Sequence, residues 1–91
     1  MILARVKGEV VATIKHPAYA HRRVLLLDRV AADGRESGGY LVAVAAVDAG
    51  IGELVLVIDE GNSARQIIGD AQAPIRSVVV GIVDEITRTD G

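Results

Sequence analysis

The sequence predicts a mainly β protein: a five-stranded, partly closed barrel of the OB type with one short helix before the last strand. Three observations predict it. Apolar and polar residues alternate from Ile2 to Ile14, the period of a strand with one buried face. Four further apolar runs follow, each bounded by glycine, proline or charge. One stretch, Asn62 to Ile68, breaks that pattern with a cap-like start and a glycine stop, and it precedes the final run.

In the first strand the even positions are Ile2, Ala4, Val6, Gly8, Val10, Ala12 and Ile14, while the odd positions include Arg5, Lys7, Glu9 and Thr13. Gly8 gives it a place to bend or bulge, as a small closed barrel requires. Lys15 to Tyr19 read as a loop, because Pro17 has no N–H for a ladder and holds His16 extended. Val24 to Leu27, continued by Asp28, Arg29 and Val30, is the second strand. Ala31 to Gly39 gathers Asp33, Gly34, Ser37, Gly38 and Gly39, the composition of an exposed hairpin connection. Tyr40 to Val47 is the third strand.

The stretch Asp48 to Arg65 organises the chain. Ala49 to Gly52 form a tight turn in which Gly50 and Gly52 can take positive φ or allow close backbone approach. Glu53 to Ile58 is the fourth strand. Gly61, Asn62 and Ser63 lead into a helix over Ala64 to Ile68, with Ser63 as its cap and Gly69 as its stop. Pro74 ends the next loop, and Ile75 to Ile86 is the last strand. Its centre, Val78 to Val83, is apolar on both faces, as in a strand that sits centrally or is covered by a neighbouring subunit. Thr87 to Gly91 read as a frayed tail.

At 91 residues the chain is one domain, and a domain of this size removes only roughly 60 to 65% of its unfolded surface from water. Yet 51% of the residues are hydrophobic, without Phe, Trp or Cys. Surplus aliphatic surface in a soluble protein becomes a subunit interface, so an oligomer is expected. A net charge of −2 offers no general attraction for nucleic acid or an anionic membrane. Without cysteine there are no disulfides and no thiolate metal sites. Arg5 and Lys7 interrupt any secretory signal, and no segment has the roughly 18 apolar residues a membrane span needs. The chain reads as cytosolic and soluble.

Several motifs touch on chemistry without completing it. His16 and His21, five apart, share neither a helical nor a strand face, and no Cys or nearby acidic cluster completes a metal site. Gly61 to Arg65 approach the G-x-S-x-G nucleophile turn, but Arg65 stands where the last glycine belongs and the chain is too small for that hydrolase fold. The turn at Gly50 and Gly52 lacks the lysine of a phosphate loop and precedes a strand. Asp59 with Glu60, and Asp84 with Glu85, read as solvated strand ends, not acid/base pairs. The barrel outline alone suggests single-stranded nucleic acid, with Arg22, Arg23 and Arg29 for phosphates, but only Tyr19 and Tyr40 could stack bases.

In four places, in order, the chain resembles the EutN/CcmL family of bacterial microcompartment vertex proteins. The opening MILARVKGEVVATIKHPAY is similar to that family's first strand and Lys-His-Pro turn, here Lys15, His16 and Pro17. Val24 to Val30 resembles its second strand. Ala49, Gly50, Gly52 and Glu53, then Leu54 to Val57, then Gly61, Ser63, Ala64 and Arg65, resemble its turn, strand and helix start. Ala73-Pro74-Ile75 and Val80 to Asp84 resemble its ending. There are departures: Ala45 stands where the family usually has aspartate, Asp48 where it has glycine, and Arg76 where aspartate is common.

The resemblance implies a five-stranded barrel that forms homopentamers, caps the vertices of a microcompartment shell among hexagonal tiles, and catalyses nothing. It implies no cofactor, and neither nucleic acid nor membrane as partner. Asp48, Ala49, Gly50, Gly52, Glu53, Gly61, Ser63 and Arg65 are then expected at the subunit interface or pore, with Arg65 tied to a carboxylate or to carbonyls. An OB-type module for single-stranded nucleic acid is the alternative.

Overall fold

The structure is a computed structural model and describes residues 1–13, 17–19, 22–72 and 75–87. Its elements are β1 (Ile2–Glu9), a 3-10 turn (Pro17–Tyr19), β2 (Val24–Val30), β3 (Glu36–Ala45), β4 (Leu54–Asp59), α1 (Gly61–Ile68) and β5 (Ser77–Ile82). The strands close into a barrel in the order β1-β2-β3-β5-β4, with β4 returning to β1. Only the β3–β5 seam is parallel, and it has two register pairs, Val44 with Val78 and Ala45 with Val79. Closure leaves the barrel no long free edge of its own at β1 or β4.

Period two decides what faces inward. Ala4 and Val6 of β1, Leu25 and Leu27 of β2, Ala43 of β3, Val55 and Val57 of β4 and Val79 of β5 fill the interior, joined by Ala49 from the turn before β4. The β1–β2 register shifts between Val6 and Gly8, at the glycine where a bend was expected. A second cluster lies outside the barrel wall, where Ala64 of α1 and Ile75 cover Val24, Val44 and Val78. That explains why β5 is apolar on both faces: Val79 faces the interior and Val78 packs under the helix.

Strand existence and order follow the sequence, but several ends move. The first strand stops at Glu9, short of Ile14, because β4 pairs with β1 only to Arg5 and β2 only to Glu9; Val11 to Thr13 are exposed. The third strand starts at Glu36, since β2 runs on to Val30 and offers Glu36 a partner. Gly38 and Gly39 are thus in a strand, at φ +78 and +101, and the hairpin connection shortens to residues 31–35. The last strand spans only Ser77–Ile82, the length over which β4 can pair with it. The expectations for Ile14, Lys15 and His16, for His21, for Ala73 and Pro74, and for the tail beyond Thr87 lie outside the described residues.

Candidate functional site

The turn before β4 is held to β1 by backbone and side chain together. Gly52 takes φ +90, which lets its N–H donate to the Val6 carbonyl at 2.8 Å, while Val6 N–H donates to the Glu53 carbonyl at 3.0 Å. Arg5 Nη1 donates to the Gly52 carbonyl at 2.9 Å. Inside the turn the Glu53 carboxylate accepts from Gly50 N–H at 2.6 Å, and Ala49 is fully buried in the core. Each residue expected here therefore has a structural task in the single chain.

Arg23, which the sequence offered only as a possible phosphate contact, is the residue that ties this region together. Its Nη1 donates to Asp48 Oδ1 at 3.0 Å and to the Ala49 carbonyl at 2.8 Å, and its Nε pairs with the Glu9 carboxylate. The Glu9 hydrogen bond is the main cause that raises the Arg23 pKa further above its ordinary value. Asp48, the departure from the family's usual glycine, is thus one of the acceptors on this guanidinium. No motif signals Arg23; only the register that brings β2 beside the end of β1 does.

At the other end of β4 the helix start is built differently from the sequence reading. The N-cap is Glu60, not Ser63. Glu60 is extended at φ −153, and its carboxylate accepts from Asn62 N–H at 2.7 Å and Ser63 N–H at 2.9 Å. The Ser63 hydroxyl donates to the same carboxylate at 2.7 Å, so Ser63 reinforces the cap. Glutamate reaches from outside the helix to donors that Ser63, already inside, cannot accept from. The Ser63 hydroxyl first, then the two N–H groups, lower the Glu60 pKa to about 2. Glu60 is therefore a cap, not an idle strand end, and Asp59 is engaged as well, accepting from Ser77 Oγ at 2.6 Å and Arg76 Nε at 3.2 Å. Arg76, another of the departures, has its partner there.

Arg65 Nη2 donates to Asn62 Oδ1 at 2.7 Å, so within one chain it meets the carbonyl oxygen of a side-chain amide. Its guanidinium lies over Gly61, where an added Cβ would stand 3.0 Å from Nη1. Gly69 closes the helix in the left-handed region at φ +82, its N–H donating to the Arg65 carbonyl at 2.8 Å.

The eight expected residues thus fall into two groups, Asp48 to Glu53 with Arg5, Glu9 and Arg23, and Gly61 to Arg65 with Glu60 and Asn62. The six residues of β4 separate them by roughly 17 to 20 Å. Neither group resembles a reaction centre: the Ser63 hydroxyl is committed to a cap, and among the described residues no cluster of three or more His, Cys, Asp or Glu could hold a metal. Of the two tyrosines, Tyr19 packs against the outer cluster while Tyr40 is 70% exposed, which is one stacking surface at most. Among the described residues no helix is long and apolar enough to cross a membrane.

Comparison with known proteins agrees with this geometry. The family profile described as Ethanolamine utilisation protein EutN/carboxysome matches residues 1–84. The bacterial microcompartment shell vertex protein PduN of Salmonella typhimurium is 45% identical over 91 residues, covering 96% of this chain and 99% of that protein. Among solved structures, an ethanolamine utilization protein, EutN, superposes with a TM-score of 0.88 at 38% identity, over 97% of this chain and 91% of that one. The GrpN pentameric microcompartment shell protein from Rhodospirillum rubrum does so with a TM-score of 0.87 at 35% identity, over 98% and 100%. A five-stranded closed barrel with one helix before its last strand, matched over nearly its whole length, places the chain in the EutN/CcmL family.

Proposed function

We propose that this chain is a structural shell protein that assembles into homopentamers and caps the vertices of a bacterial microcompartment. The observation that carries the reading is the near full-length match to relatives named as shell vertex proteins, PduN among them. The role is mechanical. Flat facets of hexagonal tiles cannot close a polyhedron, so five-fold units must stand at its corners, and a rigid barrel that repeats around a closed ring provides one. Catalysis has no part in it, and the bacterial microcompartment shell is its place.

Under this reading the Ala49 to Gly52 turn and the Gly61 to Arg65 helix start contribute to packing between copies near the five-fold axis. Arg65 is held by one amide acceptor in its own chain and keeps further guanidinium donors for a carboxylate or carbonyl of the next copy. Native mass spectrometry of the purified protein is expected to give a five-subunit mass, and Arg65→Ala to weaken it. A monomer or dimer at micromolar concentration would refute the ring, and an Arg65→Ala pentamer with unchanged melting would remove Arg65 from its interface. Co-expression with hexagonal shell proteins is expected to give closed shells, and open sheets or tubes when this chain is left out.

A further inference from the structure

The hairpin between β2 and β3 turns on Ala32, Asp33 and Gly34, and its Asp-Gly step is chemically reactive. In such a step the backbone nitrogen of glycine, unshielded by any side chain, can attack the aspartate Cγ. An N–Cγ bond forms, a Cγ–O bond breaks, and the amide proton leaves with that oxygen as water. A second water then opens the imide. Opening at Cγ restores aspartate, whereas opening at the main-chain carbonyl carbon gives isoaspartate, with the chain now running through the side chain. Water lost is water regained, so no oxidant or cofactor enters. Around Gly34 there is room for the reaction, since a Cβ there would meet nothing within 4 Å. The sequence repeats the step at Asp90-Gly91, outside the described residues.

The folded hairpin restrains both reacting atoms. Gly34 N–H donates to the Ala31 carbonyl at 2.9 Å, with Gly34 at φ +88, and Ala31 N–H donates to the Arg35 carbonyl at 2.8 Å. The nucleophilic nitrogen is thus committed to the turn. Asp33 Oδ1 accepts from the Arg35 backbone N–H at 3.0 Å and Oδ2 from Arg35 Nε at 2.7 Å, so one residue grips both oxygens. We propose that Asp33 is a site of isoaspartate formation and that Arg35 is its guard, holding the carboxylate off the Gly34 nitrogen while the hairpin is intact. The guard is partial, because the Arg35 side chain is 86% exposed and a solvated ion pair contributes little. Isoaspartate lengthens the main chain by a methylene inside the turn. The Gly34–Ala31 and Ala31–Arg35 bonds then cannot both be kept, and the Val30–Glu36 pair beyond them loosens, along with the Lys7 contact that Glu36 makes at 2.6 Å. All of these groups belong to one chain, so the guard acts whether or not copies assemble.

An endoprotease that cuts before aspartate but not before isoaspartate provides the test. Cuts before Asp28, Asp33 and Asp48 give fragments 28–32 and 33–47, whereas isoaspartate at position 33 leaves 28–47 whole, and mass spectrometry counts the two. During weeks in warm neutral buffer, the folded wild type is expected to accumulate the uncut form at about a tenth of the rate of the free peptide Val30 to Arg35. Arg35→Ala is expected to accumulate it about two- to fivefold faster than the wild type, with the Gly34 amide still slow to exchange in NMR. Arg35→Lys, which keeps the charge but has no Nε–H for Oδ2, should fall between them. A wild type as fast as the peptide would overturn the protection. An Arg35→Ala rate equal to that of the wild type, or a faster one with free exchange at Gly34, would assign the barrier to the turn alone and overturn the guard.

Discussion

Arg23 and Glu60 show how much of this chain rests on single charged side chains that no motif marks. Arg23 joins the end of β1, through Glu9, to Asp48 and the Ala49 carbonyl. Arg23→Ala leaves a buried-side carbonyl short of a donor and two carboxylates without their cation, so the melting temperature is expected to fall by several degrees. Arg23→Lys should restore only part of it, since an ammonium cannot present a fork to three acceptors. At Glu60 the carboxylate pKa, lowered from 4.5 to about 2, fixes the sign of a pH effect. A depressed folded-state pKa stabilises above the ordinary carboxylate range and loses that contribution as pH falls from about 4.5 toward 2. Glu60→Gln is therefore expected to lower stability at pH 7 and to flatten the loss between pH 5 and pH 2, as read by urea unfolding at each pH. The comparison of Glu60→Gln with the wild type at each pH isolates Glu60 from the other shifted carboxylates, the buried Asp28 among them. Burial first, then its hydrogen bond to Glu36, raise its pKa, while the Lys7 contact at 2.6 Å is the main cause lowering that of Glu36. The two shifts have opposite signs.

Among the elements, the turn before β4 and the helix after it are constrained for different reasons. At Gly52 the constraint is conformational: φ is +90 and a Cβ would meet nothing within 4 Å. Gly52→Ala is thus expected to cost about 1–2 kcal/mol through backbone strain alone, measurable as a lower urea midpoint with an unchanged m value. At Ala64 the constraint is space, since it is fully buried between α1 and the outer face of β3 and β5. Ala64→Leu should overpack that seam at about 1–3 kcal/mol and lift the helix. The helix needs this seat, because eight residues do not hold a helix alone in water. Its stop at Gly69 was legible, but its start was not: Ser63 looks like a cap in one dimension, and only the extended conformation of Glu60 at the end of β4 moves the cap three residues earlier.

For the whole molecule, an aliphatic core without large aromatics makes every interior side chain count. Leu27 is fully buried, and Leu27→Ala is expected to cost about 2–5 kcal/mol, a large share of the stability of so small a domain. If copies close into a ring, the melting temperature of the wild type should also rise with protein concentration, as it does for any fold stabilised by association.

By itself the sequence determined the number of strands, their order along the chain, the buried face of the first strand and the family, because period two and glycine punctuation are local properties that survive in one dimension. It also showed that aliphatic surface exceeds what one barrel can hide. Strand ends were decided by the tertiary structure, since a strand lasts only as long as its neighbours can pair with it, as β1 and β5 show. So were the partners of Asp48 and Arg76, which are 25 and 17 residues away in the chain and meet at the ends of neighbouring strands. The stretch from Asp48 to Arg65 reads as one site in the sequence, but an extended strand holds its two halves apart, because β4 spends its length spanning the barrel wall.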